Sequence, residues 1–109
     1  MKLEFDSMDW VTIPHLNGGE GSVSAKLFAD PAGKIMVSRL PAGASIGLHR
    51  HDTSSEINYV VSGTGMTVCD GQQETMEPGS CHYCPKGEEH SIANTGNQDL
   101  VLFTVVPEQ

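Results

Sequence analysis

Short runs in which apolar and polar residues partly alternate recur along the chain, and turn-forming residues separate them. SVSAKLFA (22–29), KIMVSRL (34–40), EINYVVS (56–62), GMTVCD (65–70), QETME (73–77), SCHYC (80–84), HSIAN (90–94) and LVLFTVV (100–106) carry β-branched or aromatic residues in this order. That is the pattern of half-buried strands. Between them lie DPAG, PAGAS, SGTG, DG, EPG, PKGEE and NTGNQD. Gly and Asn accept positive φ and Pro presets φ at about −65°, so these segments are turns by mechanism. Asp70-Gly71 is the pair that closes a two-residue hairpin. No stretch holds the i, i+3, i+4, i+7 repeat of an amphipathic helix. About eight short strands at regular turn spacing predict an all-β sandwich or barrel.

Length and charge narrow the partners. The 109 residues fit one domain, large enough to bury roughly two-thirds of its unfolded surface without disulfide staples. Six basic residues against 14 acidic ones give a net charge of −8, a field that repels phosphate backbones and anionic headgroups. Nucleic-acid and membrane partners are therefore not expected. The start, MKLEFDSMDW, offers no apolar signal run, and nothing later approaches the ~20 apolar residues of a membrane span, so a cytoplasmic location is expected. Cys81 and Cys84 have CxxC spacing, but Pro85 and Gly87 follow at once. The helix N-terminus that activates redox CxxC thiols is missing, so reduced, partly buried thiols are expected.

The chemistry concentrates in two segments. In GASIGLHRHDTSSEINYVVSG (43–63), His49 and His51 are two apart; on an extended chain both point to one face, with Leu48 and Arg50 turned away. Glu56 follows a polar step and opens the next strand, and two histidines with one carboxylate form a facial set that leaves ligand positions open. Taken alone, H-x-H reads equally well as a surface loop. In GSCHYCPKGEEHSIAN (79–94), His90 follows a Pro-x-Gly turn on the rise into another strand.

Together the two segments resemble the cupins. The first cupin motif, G-x5-H-x-H-x3,4-E-x6-G, is matched by Gly43, His49, His51, Glu56 and Gly63. The second, G-x5-P-x-G-x2-H-x3-N, is matched by Gly79, Pro85, Gly87, His90 and Asn94. The resemblance implies a double-stranded β-helix, the cupin jelly-roll barrel, holding one divalent transition metal through His49, His51, Glu56 and His90 with two positions open. Imidazole nitrogens with one hard oxygen suit Mn, Fe, Co, Ni or Zn alike. Two other arrangements stay open: a metal-free barrel, and a site from which Glu56 swings away. Asn94 reads as a structural amide.

Alternation gives a lining. With Glu56 inward, Asn58 and Val60 follow it; with His90 inward, Ile92 and Asn94 do. Over residues 80–84 the parity is open, and either His82 with Cys84 or Cys81 with Tyr83 faces the pocket. His82, Tyr83 and Cys84 are the catalytic candidates, although a polar strand residue beside a turn, such as His82, is often simply exposed.

Residues 41–109 also resemble small single-domain cupins of oxalate-decarboxylase type. A dicarboxylate in a closed barrel calls for a cation beyond the metal. With Arg50 turned outward and Lys34 and Lys86 read as turn residues, only Arg39 or Lys26 remains, which argues against oxalate decarboxylation itself. The resemblance implies a small-molecule ligand and is compatible with three functions: a metal-dependent enzyme (oxygenase, decarboxylase or isomerase type) on a small carboxylate, sugar acid or similar oxygen-rich metabolite; a non-catalytic metal or small-ligand binder, as sensor or carrier; and a metal-free sugar isomerase or epimerase. Residues 31–109 are expected to form the barrel core. Residues 1–30 are expected to supply N-terminal strands; the resemblance implies that such strands pair across a dimer, which makes KLEF and DWVTIP around Trp10 the expected edge cover of a homodimer.

Overall fold

The computed structural model describes all residues, 1–109. Ten strands follow one another: β1 (Val11–Pro14), β2 (Ser22–Asp30), β3 (Gly33–Leu40), β4 (Ser45–Arg50), β5 (Glu56–Ser62), β6 (Gly65–Cys69), β7 (Gln72–Met76), β8 (Cys81–Cys84), β9 (Glu89–Asn94) and β10 (Leu100–Pro107). The eight runs read from the pattern are all strands, each end within one residue of its expected place; β1 lies within DWVTIP, one of the expected N-terminal segments, and β4 is additional. KLEF is not a strand, since Phe5–Ser7 is a 3-10 turn. No helix is long and apolar enough to cross a membrane.

The strands pair antiparallel into a six-stranded sheet, β1-β2-β3-β10-β5-β8, and a four-stranded sheet, β4-β9-β6-β7, the two layers of a jelly roll. Asp70 and Gly71 both take positive φ (47° and 82°) and join β6 to β7 with Cys69 opposite Gln72, the twist a two-residue hairpin requires. From Ser24 onward β2 pairs with β3, and Val23 of β2 lies in the main core.

The closed end of the barrel is packed with Val23, Leu40, Ala44, Val60, Met76, Ile92, Leu100 and Leu102. Several of these strands leave the core for an open end: β3 runs back from Leu40 to Met36 and Lys34, and β10 runs on from Leu102 to Thr104 and Val106. Likewise β5 runs from Val60 back to Asn58 and Glu56, and β9 from Ile92 back to His90. Each Val, Leu, Ile or Met side chain of this core contributes about 1.5–3 kcal/mol by burial, so the packed end can hold the open end in shape. The outer face of the six-stranded sheet is also apolar, with Tyr59, Phe103 and Val37 in one cross-strand row and Ile57, Val105 and Ile35 in the next.

Candidate metal centre

The first two histidines owe their aim to an irregularity in β4. Ile46 pairs with Ile92 and His49 with His90, so β4 carries one residue more than β9 over this interval. This β-bulge lets Ile46 and His49, three apart, both face the cavity, and re-aiming a side chain beside a site is what such bulges do. Gly47 lies in the bulge, where the backbone of Asn17 and Gly19 packs so closely that a Cβ would sit 2.0 Å from the Asn17 carbonyl oxygen; only glycine fits. Its own carbonyl accepts a hydrogen bond from His49 Nδ1 (2.7 Å). His51 lies just beyond β4 and is pinned by the Pro85–Glu88 turn, whose Gly87 amide donates to the His51 carbonyl (2.7 Å) while the His51 amide donates to Glu88. Arg50 points outward as expected; its guanidinium reaches the Gly87 carbonyl and, at 3.7 Å, the Glu89 carboxylate.

Four side chains from these elements converge. His90 Nε2 lies 3.1 Å from both His49 Nε2 and His51 Nε2 and 3.2 Å from Glu56 Oε2, and His51 Nε2 lies 3.1 Å from Glu56 Oε1. All four ligand atoms fall within 4.8 Å of one another. Two ligands at right angles on bonds of about 2.1 Å sit about 3.0 Å apart, so these separations fit the edges of a metal polyhedron. With Nδ1–H of His49 committed to Gly47, its Nε2 presents a lone pair. Nitrogen lone pairs and carboxylate oxygens thus face one another, and a cation between them relieves the repulsion. Burial holds the His49 imidazole below its ordinary pKa, against the raising effect of the Gly47 bond. Burial alone would raise the Glu56 carboxyl, but His51, His90 and Asn58 beside it hold it well below the usual carboxylate range. Glu56 is oriented by Asn58, whose Nδ2 donates to Oε2 (2.7 Å), and Asn58 in turn accepts from the Thr104 hydroxyl (2.6 Å).

Behind His90 stands a second line that the sequence did not reveal. Within β8, His82 and Cys84 are buried while Cys81 and Tyr83 face solvent, which settles the parity and corrects the reading of His82 as exposed. His82 Nε2 meets His90 Nδ1 at 3.0 Å, and His82 Nδ1 meets Glu74 Oε1 at 3.1 Å. A carboxylate only accepts, so His82 donates from Nδ1 and accepts at Nε2, and His90 must donate from Nδ1. His90 Nε2 is left as a lone pair aimed at the centre. Burial lowers the pKa of His82, with Glu74 acting against it, which favours the neutral ring this chain requires. Of the other two catalytic candidates, Tyr83 is excluded from the pocket by its exposure. Cys84 packs against Cys69, with the two sulfurs 3.9 Å apart. Burial and the Cys69 thiol push the Cys84 pKa up to about 12, far from a ready thiolate.

A cavity of about 600 Å³ opens over the centre, lined by His49, His51, Glu56, Asn58 and Thr104 on its polar side. Of the expected lining residues only Asn58 borders it. Val60 and Ile92 do face inward but belong to the apolar core, because they lie one step further toward the closed end. Asn94 ties backbone together, donating to the carbonyls of Leu40 and Gln98 (both 2.8 Å) and accepting from Gly96 (2.9 Å). The basic side chains at the cavity are also corrected, for Arg50 borders it while its guanidinium is held by Gly87 and Glu89. Arg39 and Lys26 stack on Trp10, 4.3 and 4.7 Å from its ring, whereas Lys34, a β3 residue rather than a turn residue, borders the cavity mouth together with Asp52 and Glu108 and makes no ion pair.

The family model described as "Cupin domain" (Cupin_2) matches residues 36–106. The chain is 34% identical over 100 residues to the oxalate-binding protein of Thermotoga maritima, covering 86% of this chain and 83% of that one. The crystal structure of a predicted oxalate decarboxylase from Thermotoga maritima superposes with a TM-score of 0.94 at 29% identity over the whole of both chains. The structure of KdgF from Halomonas sp. shares the fold, with a TM-score of 0.78 at 22% identity over 95% of this chain and 92% of that one.

Proposed function

The chain belongs to the cupin family, and from that premise we propose that it is a metal-dependent cupin acting on a small carboxylate or similarly oxygen-rich metabolite. One observation carries the reading: three imidazole Nε2 atoms and the Glu56 carboxylate converge at 3.1–3.2 Å, with the His49 and His90 lone pairs directed inward. His49, His51, Glu56 and His90 would hold the ion, which would supply Lewis-acid polarisation of a ligand oxygen. Asn58 and Thr104 fix Glu56, Gly47 and His82 fix two of the imidazole tautomers, and Lys34 offers an unpaired positive charge at the entrance. The relative named an oxalate-binding protein supports a carboxylate as the ligand class.

A non-catalytic binder is favoured by a different feature. Apart from the four convergent groups, the inner part of the cavity offers only neutral side chains such as Asn58, Thr104 and Ser38, and its free charges, Lys34, Asp52 and Glu108, lie at the exposed rim. The metal-free isomerase loses its phenol acid, since Tyr83 lies outside. The test is metal content after native and anaerobic purification, followed by ligand-induced thermal shifts of the loaded protein and product analysis. Bound transition metal with a carboxylate-dependent shift supports the proposal. Metal-free protein in both preparations, with His51→Ala indistinguishable from the parent, sinks it. Product formation separates enzyme from binder.

We propose further that two copies associate through the outer face of the six-stranded sheet. Tyr59, Phe103, Val37, Ile57, Val105 and Ile35 form an uncharged field in a chain of net charge −8, so two copies meet there without bringing carboxylates together.

A further inference from the structure

The cavity is not polar throughout. Cross-strand pairing places Asn58 beside Thr104, Thr104 beside Met36 and Met36 beside Leu27, and all four border the cavity. A single row across the inner face of the six-stranded sheet therefore changes from amide through hydroxyl to thioether and aliphatic side chains. Ile13, Val23, Ala25 and Val106 extend the apolar part on either side. Adjacent strands lie about 4.8 Å apart, so the three steps from β5 to β2 span about 14 Å, with the candidate metal centre at the polar end only. A two-carbon dicarboxylate would use about the first of those steps and leave the aliphatic wall in contact with water. A volume of about 600 Å³ lies within the range of pockets that enclose larger organic ligands.

Resting on the reading of a metal-bound carboxylate, we infer that the ligand is amphipathic: a chelating head of the 2-oxo- or 2-hydroxycarboxylate type, held at the metal beside Asn58 and Thr104, with an apolar body of several carbons lying along Met36 and Leu27. The polar and apolar halves of the cavity then each have a partner in one molecule. Oxalate fills the head position alone.

The inference is tested by calorimetric titration of nickel-loaded protein with oxalate and a series of 2-oxo acids: pyruvate, 2-oxobutanoate, 2-oxohexanoate and 2-oxooctanoate. Transfer of one methylene from water contributes about 0.8 kcal/mol, close to fourfold in affinity. The expected result is a gain of about two- to fourfold per added methylene, with the longest acid tightest. Leu27→Ser, at a side chain already 46% exposed and so tolerant of the change, should flatten that increment while its nickel content matches the parent; Met36→Ser provides a second position. Affinity that is level or falls with chain length, with oxalate at least as tight as every longer acid, overturns the amphipathic ligand alone. Protein that loads no nickel, or binds neither oxalate nor any 2-oxo acid, overturns the metal–carboxylate reading and this inference together.

Discussion

Replacing His82 with Phe should weaken metal binding without touching a ligand. His82 is buried, and its Nε2 is the only acceptor for His90 Nδ1. Phenylalanine roughly conserves the ring volume but accepts nothing. Since His90 is 0% exposed, no water replaces the lost partner. The metal-free protein has an escape: the His90 proton can move to Nε2 and be donated to Glu56, 3.2 Å away. The metal-bound protein has none, because Nε2 must keep its lone pair for the ion. The cost of an unsatisfied buried donor, about 1–3 kcal/mol, therefore falls mainly on the bound state and appears as a weakening of about 5- to 150-fold in metal Kd. Chelator competition with cobalt or zinc measures that loss. Imidazole 15N shifts of the metal-free variant should show the His90 proton on Nε2 in place of Nδ1. Glu74→Gln should cost less, about fivefold or below, because the Glu74 side chain is 60% exposed and water and the new amide oxygen can both accept. An intact H82F protein with parental metal affinity and unchanged His90 shifts would refute the argument.

Other outcomes follow from the same structure. Burial holds His49 and His82 below their ordinary value of 6.5, so below that pH the unfolded chain binds more protons than the folded one and stability rises with pH, by up to about 1.4 kcal/mol per unit for each group; Glu56, held below its ordinary 4.5, adds a term of the same sign at lower pH. The urea midpoint of metal-free protein should accordingly fall from pH 7 to pH 5, and a level midpoint would contradict the buried neutral rings. Iodoacetamide should label exposed Cys81 first and leave Cys84 unmodified until unfolding, which peptide mass mapping reads directly. Light scattering at micromolar concentration should give twice the 11.7 kDa chain mass, and Phe103→Glu should return the single-chain mass; a parent protein of single-chain mass ends the dimer proposal.

The strand framework was legible because one face of most strands is buried, which forces the period-two alternation visible in the sequence. Detection failed where that alternation is broken. The bulge between Ile46 and His49 puts two inward residues three apart, so β4 did not appear as a strand from its pattern. Short β1 ends on Pro14 at a sheet edge and carries little alternation of its own. The set His49, His51, Glu56 and His90 was legible through the resemblance to the two cupin motifs, since the H-x-H spacing alone reads equally well as a surface loop. The support from His82 and Glu74 was not, since it depends on bringing β8 and the β6–β7 hairpin behind β9, and no local signal marks that. Lys34 was misplaced for a related reason: a lysine after a Pro-Ala-Gly turn looks solvated, yet strand parity aligns it with Met36 and Ser38 on the inner face.

Dividing strands such as β3, β5, β9 and β10 between a packed end and an open end also separates two kinds of mutational pressure. Substitutions at Leu40, Val60, Ile92 or Leu102 are judged by whether the chain folds. Substitutions at Lys34, Met36, Asn58 or Thr104, two to six residues away on the same strands, are judged by which molecule fits. A lineage built on this scaffold can therefore exchange ligands by changing a few side chains at the rim and floor of the cavity while drawing down little of its stability reserve, and the bulge at Gly47 is the point where that freedom ends.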